Sequence, residues 1–353
     1  MKLTIRAKAA VSLLAFAALL TLVATPASAQ RGGFGLDPRA EDRTYRFADT
    51  DEDMQYCVFA SSRISDDTPA PLIISLHGLG AGPQIMCNST AVDLAEEGGY
   101  IFAAPMGYNT GGWYGSPTLG GGGRGRGRGG NNAAPALSFD AIDTAGDDDQ
   151  LTADEVGEFF GNIGNGPGGG DFAAQAFGRW DANDDGMVTR QEFDDRPQFG
   201  GGGFGGGNQP ENLSELSEKD VMNVLAMMRE EFNVDDGRIY LTGHSMGGAG
   251  TLFLGSKHAD IWAAIAPVAP AAFSMTDNRE DVLQGLNDGG VPVLIVHGDE
   301  DEAVPVDLAR TWVATMEELD MEHEYEELPG VTHGPVITVS QEYVYAFFDK
   351  HSR

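Results

Sequence analysis

The segment RIYLT (238–242) runs directly into GHSMGG (243–248), which runs directly into AGTLFLGSK (249–257). Two β-branched positions and a tyrosine make the first piece a buried strand, and the last piece, rich in Ala and Leu, starts a helix. Ser245 therefore stands at a strand-to-helix turn with glycines two positions to either side. A turn this tight tolerates only small residues around the serine, and it lifts the serine hydroxyl clear of the backbone at the end of the strand. Ser245 is the first candidate nucleophile. Outside this context a five-residue match of this kind would say little.

The pattern repeats on both sides. Apolar runs at Pro71–Leu76, Tyr100–Pro105, Ile261–Ala269 and Val291–His297 match the one ending in Thr242. Helical periodicity separates them, most clearly over Ser217–Phe232, where Val221, Val224, Leu225, Met228 and Phe232 share a face and Ser217 is the expected cap. Alternation of this kind predicts an α/β fold, a mostly parallel sheet flanked by helices. Thr44–Phe47 and Met54–Ala60 read as an opening antiparallel pair.

Two glycine tracts, GGGGRGRGRGG (120–130) and GGGGFGGG (200–207), cannot pack a core and read as linkers. Between them, residues 131–199 carry 15 acids against 3 Arg. The expected layout is a main domain in two pieces, 30–118 and 209–353. A Gly/Arg-rich linker (119–130), a small all-α insertion (131–199) and a Gly-rich linker (200–208) interrupt it.

The whole chain has 353 residues and a formal net charge of −32, which disfavours nucleic acid and anionic membrane surfaces as partners. Residues 1–29 read as an export signal: Lys2, Arg6 and Lys8, an apolar run from Ala9 to Ala24, then Ala27-Ser28-Ala29. The apolar run is shorter than the roughly 20 residues that span a bilayer. A secreted or periplasmic location follows, with cleavage after Ala29 and no membrane span. Export makes a Cys57–Cys87 disulfide permissible, and two buried free thiols are the open alternative.

A serine hydroxyl needs a base, and the base an orienting acid. His333, in the loop PGVTHG (329–334) before the last helical stretch, is the expected base. His323 lies within the expected strand HEYEEL (323–328), and His351 lies three residues from the chain's end. The strand VPVLIVH (291–297) runs into Gly298-Asp299-Glu300-Asp301, where Asp301 is the expected acid and Asp299 the reserve. The second N–H of an oxyanion site is expected at Leu79 in His77-Gly78-Leu79-Gly80, with Gly78 its neighbour, and the first at Met246. Trp113 and Tyr114, in the aromatic loop 106–115, are the expected substrate-binding pair, with plain packing the alternative.

HGLG (77–80), GHSMGGAGT (243–251), HGDEDEAVP (297–305) and the His333 loop together resemble the α/β-hydrolase superfamily. The likeness is greatest to its exported bacterial esterases, of the polyhydroxybutyrate-depolymerase and feruloyl-esterase kind, and to prolyl-oligopeptidase-type hydrolases. It implies a Ser245-His333-Asp301 triad working through an acyl-enzyme on small or polymeric esters, with no cofactor for catalysis. A serine peptidase, or a non-catalytic calcium-dependent binding protein on the same scaffold, are the alternatives.

Within the insertion, residues 181–192 fit an EF-hand calcium loop at every position. Asp181, Asn183 and Asp185 stand at 1, 3 and 5, Gly186 at the turn, Met187 offering its carbonyl, Thr189 at 9 and Glu192 at 12. A dockerin-like calcium repeat is the rival, disfavoured by Glu192 and the flanking Phe177, Trp180 and Phe193. An earlier stretch, 143–155, has the same flavour with one residue too many and no glycine. Its expected ligands are Asp143, Asp147, Asp149 and Glu155.

Overall fold

The computed structural model describes residues 35–117, 139–144, 149–163, 177, 180, 181, 183, 185–195 and 210–353. The export signal (1–29), both glycine linkers and Asp147 lie outside these residues.

Eight strands form one sheet: β1 (Glu41–Phe47), β2 (Glu52–Ala60), β3 (Ala70–Leu76), β4 (Ile101–Pro105), β7 (Val234–His244), β8 (Ala264–Val268), β9 (Val293–Gly298) and β10 (His323–Leu328). They lie side by side in the order β1-β2-β4-β3-β7-β8-β9-β10. β1 and β2 pair antiparallel, as do β2 and β4, and every pairing from β4 to β10 is parallel. β3, β4, β8 and β9 are buried along their whole length. A parallel sheet is covered on both faces, so its strands read as continuous apolar runs. The exposed edge, β1, carries Arg43 and Arg46 in ion pairs, and such charged edges discourage pairing with another chain.

The main-domain helices are α1 (Ser89–Gly98), α5 (Leu213–Glu231), α6 (Met246–Lys257), α7 (Arg279–Asp288), α8 (Val306–Glu318), α9 (Val336–Val339) and α10 (Gln341–Phe348). Alternate side chains of each strand serve different layers. Leu72, Ile74 and Leu76 join α5, α6, α7 and α8 in one core, whereas Ile73 and Phe102 join α1 and α10 in the other. Cys57 and Cys87 are joined in a disulfide that ties β2 to the turn before α1, which resolves the choice left open by the sequence.

α5 begins at Leu213, one turn earlier than expected, because Leu216 packs on Phe47 and Met54 and draws that turn into the helix. Ser217 is therefore buried inside the helix rather than capping it. Its hydroxyl donates to the Gly107 carbonyl at 2.6 Å and accepts the Tyr114 N–H at 3.0 Å. Asp220, one turn on, accepts the N–H groups of Gly107 at 2.7 Å and Tyr108 at 3.3 Å. Ser214 donates to Gly115 O at 2.9 Å. These bonds fasten the loop after β4, which leads into the insertion, to the helix that follows it.

The insertion has a core of its own. Phe139, Ile142, Leu151, Val156, Trp180, Val188 and Phe193 cluster together. They come from α2 (Phe139–Ile142), β5 (Gln150–Leu151), α3 (Ala153–Ile163), β6 (Val188–Thr189) and α4 (Arg190–Asp195), with Trp180 preceding the loop. β5 and β6 pair antiparallel, Leu151 opposite Val188 and Gln150 opposite Thr189.

Candidate active site

The expected site residues come from loops at the carboxyl ends of β3, β7, β9 and β10, with the aromatic loop following β4. Ligands bind at this edge of open α/β sheets. Ser245 has φ 59° and ψ −114°, a conformation that costs a non-glycine residue on the order of 1–3 kcal/mol and needs its surroundings to hold it. Here the hold is visible. Ser245 N–H donates to Val268 O at 2.9 Å, and Ser245 O accepts from Ala249 and Ala271. The flanking glycines are obligatory on steric grounds: a Cβ on Gly247 would stand 2.1 Å from Leu76 O, and one on Gly243 2.5 Å from Gly247 O.

The HGLG turn lies against this elbow. A Cβ on Gly78 would be 3.4 Å from the Ser245 Cβ, so the turn sits one atom's width from the candidate nucleophile. The Gly80 and Ala81 N–H groups are engaged by Thr110 O and Gly78 O, and among the described residues no acceptor takes the Leu79 N–H. Met246 opens α6, where N–H groups have no intrahelical partner. The turn beside the elbow and the first residue of α6 thus each hold a backbone donor without a main-chain acceptor among the described residues. Below the turn, His77 is buried with Nδ1 2.8 Å from Gly78 O and Nε2 2.8 Å from Met106 O. Burial pushes its basicity down.

His333 Nδ1 donates to Asp301 Oδ2 at 2.7 Å, which leaves Nε2 as the basic nitrogen. Asp301 Oδ1 accepts the N–H groups of Ala303 at 2.9 Å and Val304 at 2.8 Å. Burial alone would raise the pKa of this carboxyl. Hydrogen bonds from His297 and His333 outweigh that and hold it well below the usual carboxylate range. The reserve acid, Asp299, is engaged elsewhere and accepts the Gly330 N–H at 2.6 Å. Together with Glu300 N–H to Val331 O, that bond zips the acid loop to the His333 loop. The fit is close, since a Cβ on Gly298 would stand 2.0 Å from Val331 O.

Two further histidines enter the site that the sequence did not single out. His297 is fully buried, with Nε2 2.8 Å from Val304 O and 3.3 Å from Asp301 Oδ2. His244 places Nε2 2.9 Å from the His333 carbonyl, and the two imidazole rings lie 4.5 Å apart. Both lie inside motifs already quoted, His244 between Gly243 and Ser245 and His297 at the head of HGDEDEAVP, and that placement was the sequence signal available.

Tyr114 does not belong to a substrate subsite. Its side chain is fully buried, its ring packs edge-on to His77, and its hydroxyl donates to His77 O at 3.1 Å. With φ 52° it turns inward beneath the HGLG turn, and a Cβ on Gly250 would stand 2.7 Å from its ring. The cause is the close approach of α6, where only glycine leaves room for the ring. Trp113 is half-buried and packs against the same core.

In the insertion, Asp181 accepts the N–H groups of Asp185 and Gly186, Asn183 accepts that of Asp185, and Asp185 accepts that of Met187. Gly186 has φ +84°, and Glu192 holds the N–H and hydroxyl of Thr189. The other Glu192 oxygen is buried without a hydrogen-bond partner, and so are both carboxylate oxygens of Asp143. Glu155 holds Thr144 and Thr152 as Glu192 holds Thr189. Asp149 departs from expectation. By the β5–β6 register it stands where the second loop has Gly186, it takes φ 60°, and its carboxylate pairs with Arg190 at 2.9 Å. The ion pair and the left-handed backbone set it apart from Asp181, Asn183 and Asp185 of the second loop. Among the described residues, no three His, Cys, Asp or Glu side chains converge as a cation cluster.

The strand order and the turn that carries Ser245 have the fold of an α/β-hydrolase. More particularly, residues 207–348 match the Dienelactone hydrolase family. Cutinase 1 of Thermobifida cellulosilytica is 35% identical over 128 residues, 36% of this chain and 45% of the cutinase. A bifunctional acetylxylan esterase/xylanase of Neocallimastix patriciarum is 33% identical over 85 residues, 24% of this chain and 11% of that protein. The chain thus spans less than half the length of these curated relatives. Among solved structures, a ferulic acid esterase from Anaeromyces mucronatus in complex with ferulic acid aligns with a TM-score of 0.51. It shares 15% identity, over 92% of this chain and 93% of that one. No helix among the described residues is long and apolar enough to cross a membrane.

Proposed function

We propose that the protein is an exported serine hydrolase that cleaves carboxylic esters through an acyl-enzyme. The observation that carries this is the 2.7 Å bond between His333 Nδ1 and Asp301, at the sheet edge where Ser245 is held in its strained turn. In this scheme His333 Nε2 takes the Ser245 proton as Oγ attacks the ester carbonyl. The resulting oxyanion is held by the N–H groups of Met246 and Leu79. His333 then returns the proton to the leaving alcohol. Water, deprotonated by the same nitrogen, releases the acid and frees Ser245. Esters rather than amides are favoured because the similar proteins are named as cutinases, an acetylxylan esterase and a ferulic acid esterase.

Calcium is the proposed ligand of the insertion. In the second loop, Asp181, Asn183, Asp185, Glu192 and the Met187 carbonyl would hold it, with Thr189 bracing Glu192. In the first, Asp143 and Glu155 would do so. The unpartnered, buried oxygens of Asp143 and Glu192 fit a cation, and a bound ion would rigidify the lobe without entering the chemistry.

A fluorophosphonate probe tests the catalytic proposal. It is expected to label the parent protein on Ser245 and to leave Ser245→Ala unlabelled, with p-nitrophenyl acetate turned over by the parent alone. Peptidyl amides cleaved faster than esters would replace the ester assignment with a peptidase. An unlabelled parent would leave only a binding protein.

A further inference from the structure

We infer that His244 is a positioning residue: it ties the main chain of the candidate base His333 to the strand that carries Ser245. This rests on the hydrolase proposal above. His333 sits in a loop, and loops follow their own motions unless bonded to the scaffold. Its side-chain bond to Asp301 sets the direction of the ring but leaves the position of its backbone to the loop. The bond from His244 Nε2 to the His333 carbonyl, 2.9 Å long, supplies the missing restraint. Among the described residues, no other hydrogen bond joins the His333 main chain to β7. His244 is the residue immediately before the serine, so the spacing between nucleophile and base is set across a single short span.

The chemistry of the contact fixes the state of His244. A carbonyl oxygen only accepts, so Nε2 carries the proton. Nδ1 then keeps its lone pair, and it faces the backbone of Gly78, where a Cβ would lie 3.2 Å away. Burial, reinforced by the neighbouring His333, holds the ring's basicity well below that of free histidine. A neutral donor is what this place needs. With the rings 4.5 Å apart, a charged His244 would oppose the imidazolium that His333 becomes during turnover. Gly78, His244 and His333 thus form one packed row, joining the oxyanion turn, the nucleophile strand and the base.

Two variants separate the donor from the bulk. His244→Gln keeps a neutral N–H donor on a side chain of similar reach, whereas His244→Leu keeps volume without a donor. A displacement of about 1 Å in a reacting group costs on the order of 10²-fold in rate. With p-nitrophenyl acetate, His244→Leu is therefore expected to lose about 10²-fold in kcat with KM within about threefold. His244→Gln is expected to recover at least a tenth of the parent rate, about 10-fold above the leucine variant. Thermal unfolding of both variants checks folding. The low-field proton resonance of the His333–Asp301 bond gives a readout that needs no turnover: it is expected in the parent and in His244→Gln, and broadened in His244→Leu. The inference is overturned by a leucine variant that retains the parent kcat and the resonance. It is overturned equally by a glutamine variant as slow as leucine, or by a defect confined to KM, which would make His244 a substrate contact. A parent that labels on Ser245 while His244→Leu behaves normally removes this inference and leaves the hydrolase proposal standing. A parent without esterase activity removes the latter, and the resonance still decides the role of His244.

Discussion

Replacing Asp301 by asparagine tests the proposed triad more sharply than deleting it. All four groups around the carboxylate are donors: the Ala303 and Val304 N–H groups on Oδ1, and His333 Nδ1 and His297 Nε2 on Oδ2. An asparagine has one oxygen and one NH₂, so one of these pairs must face a donor. Turning the NH₂ toward the two backbone N–H groups would bury two lost hydrogen bonds, at about 1–3 kcal/mol each. The lower-energy choice keeps the oxygen there and points the NH₂ at His333. The imidazole then shifts its proton to Nε2 and accepts on Nδ1, and the nitrogen facing the substrate side can no longer take a proton. The expected result is a fall in kcat of about 10³- to 10⁴-fold, or about 4–5.5 kcal/mol at 1.36 kcal/mol per tenfold, with KM little changed. The assay is steady-state hydrolysis of p-nitrophenyl acetate at pH 7–9, with thermal unfolding to show that the fold survives. A variant within tenfold of the parent would refute the reasoning, since a correctly oriented base would then not depend on a carboxylate.

Three other outcomes are expected. The Cys57–Cys87 bridge closes a loop spanning a sequence separation of 30; removing it with Cys57→Ser/Cys87→Ser should lower the unfolding free energy by about 3–4 kcal/mol, read from urea midpoints. Asp220 is buried, and burial pushes its carboxyl up to about 6. The folded chain therefore binds a proton that the unfolded chain releases near pH 4, so stability through this group is greatest below about pH 4 and falls until about pH 6. Asp220→Asn should lack that slope in a plot of urea midpoint against pH, and an unchanged slope would assign it elsewhere. Terbium bound in the insertion should emit under excitation of Trp180, the residue before Asp181, and calcium should displace it. Glu192→Gln should weaken binding at least tenfold by removing the ligand at position 12, and calcium at about 100 times its dissociation constant should stabilise the parent by about 2.7 kcal/mol. No emission from the parent would discard the calcium proposal.

The strands and the Ser245 elbow were legible in the sequence because each rests on local rules. A parallel strand buried on both faces must be apolar throughout, and a strand-to-helix turn with a Cβ clearance of 2.1 Å at Gly247 must carry glycine. The turn at Gly186 was legible for the same reason: the carboxylate and amide oxygens of Asp181, Asn183 and Asp185 that hold it lie within a few consecutive residues. Other features depend on residues far apart in the chain. Whether Cys57 meets Cys87, whether Tyr114 faces a substrate or a glycine of α6, and which of Asp299 and Asp301 meets His333 are settled by packing across the sheet. Composition and spacing hold no record of those distances. Helix starts slipped by a turn where a tertiary contact, Leu216 on Phe47 and Met54, outweighed a local capping signal. His244 shows the same division: it lies inside the elbow motif, and only the fold gives its ring nitrogen the His333 carbonyl, which arrives from the loop after β10.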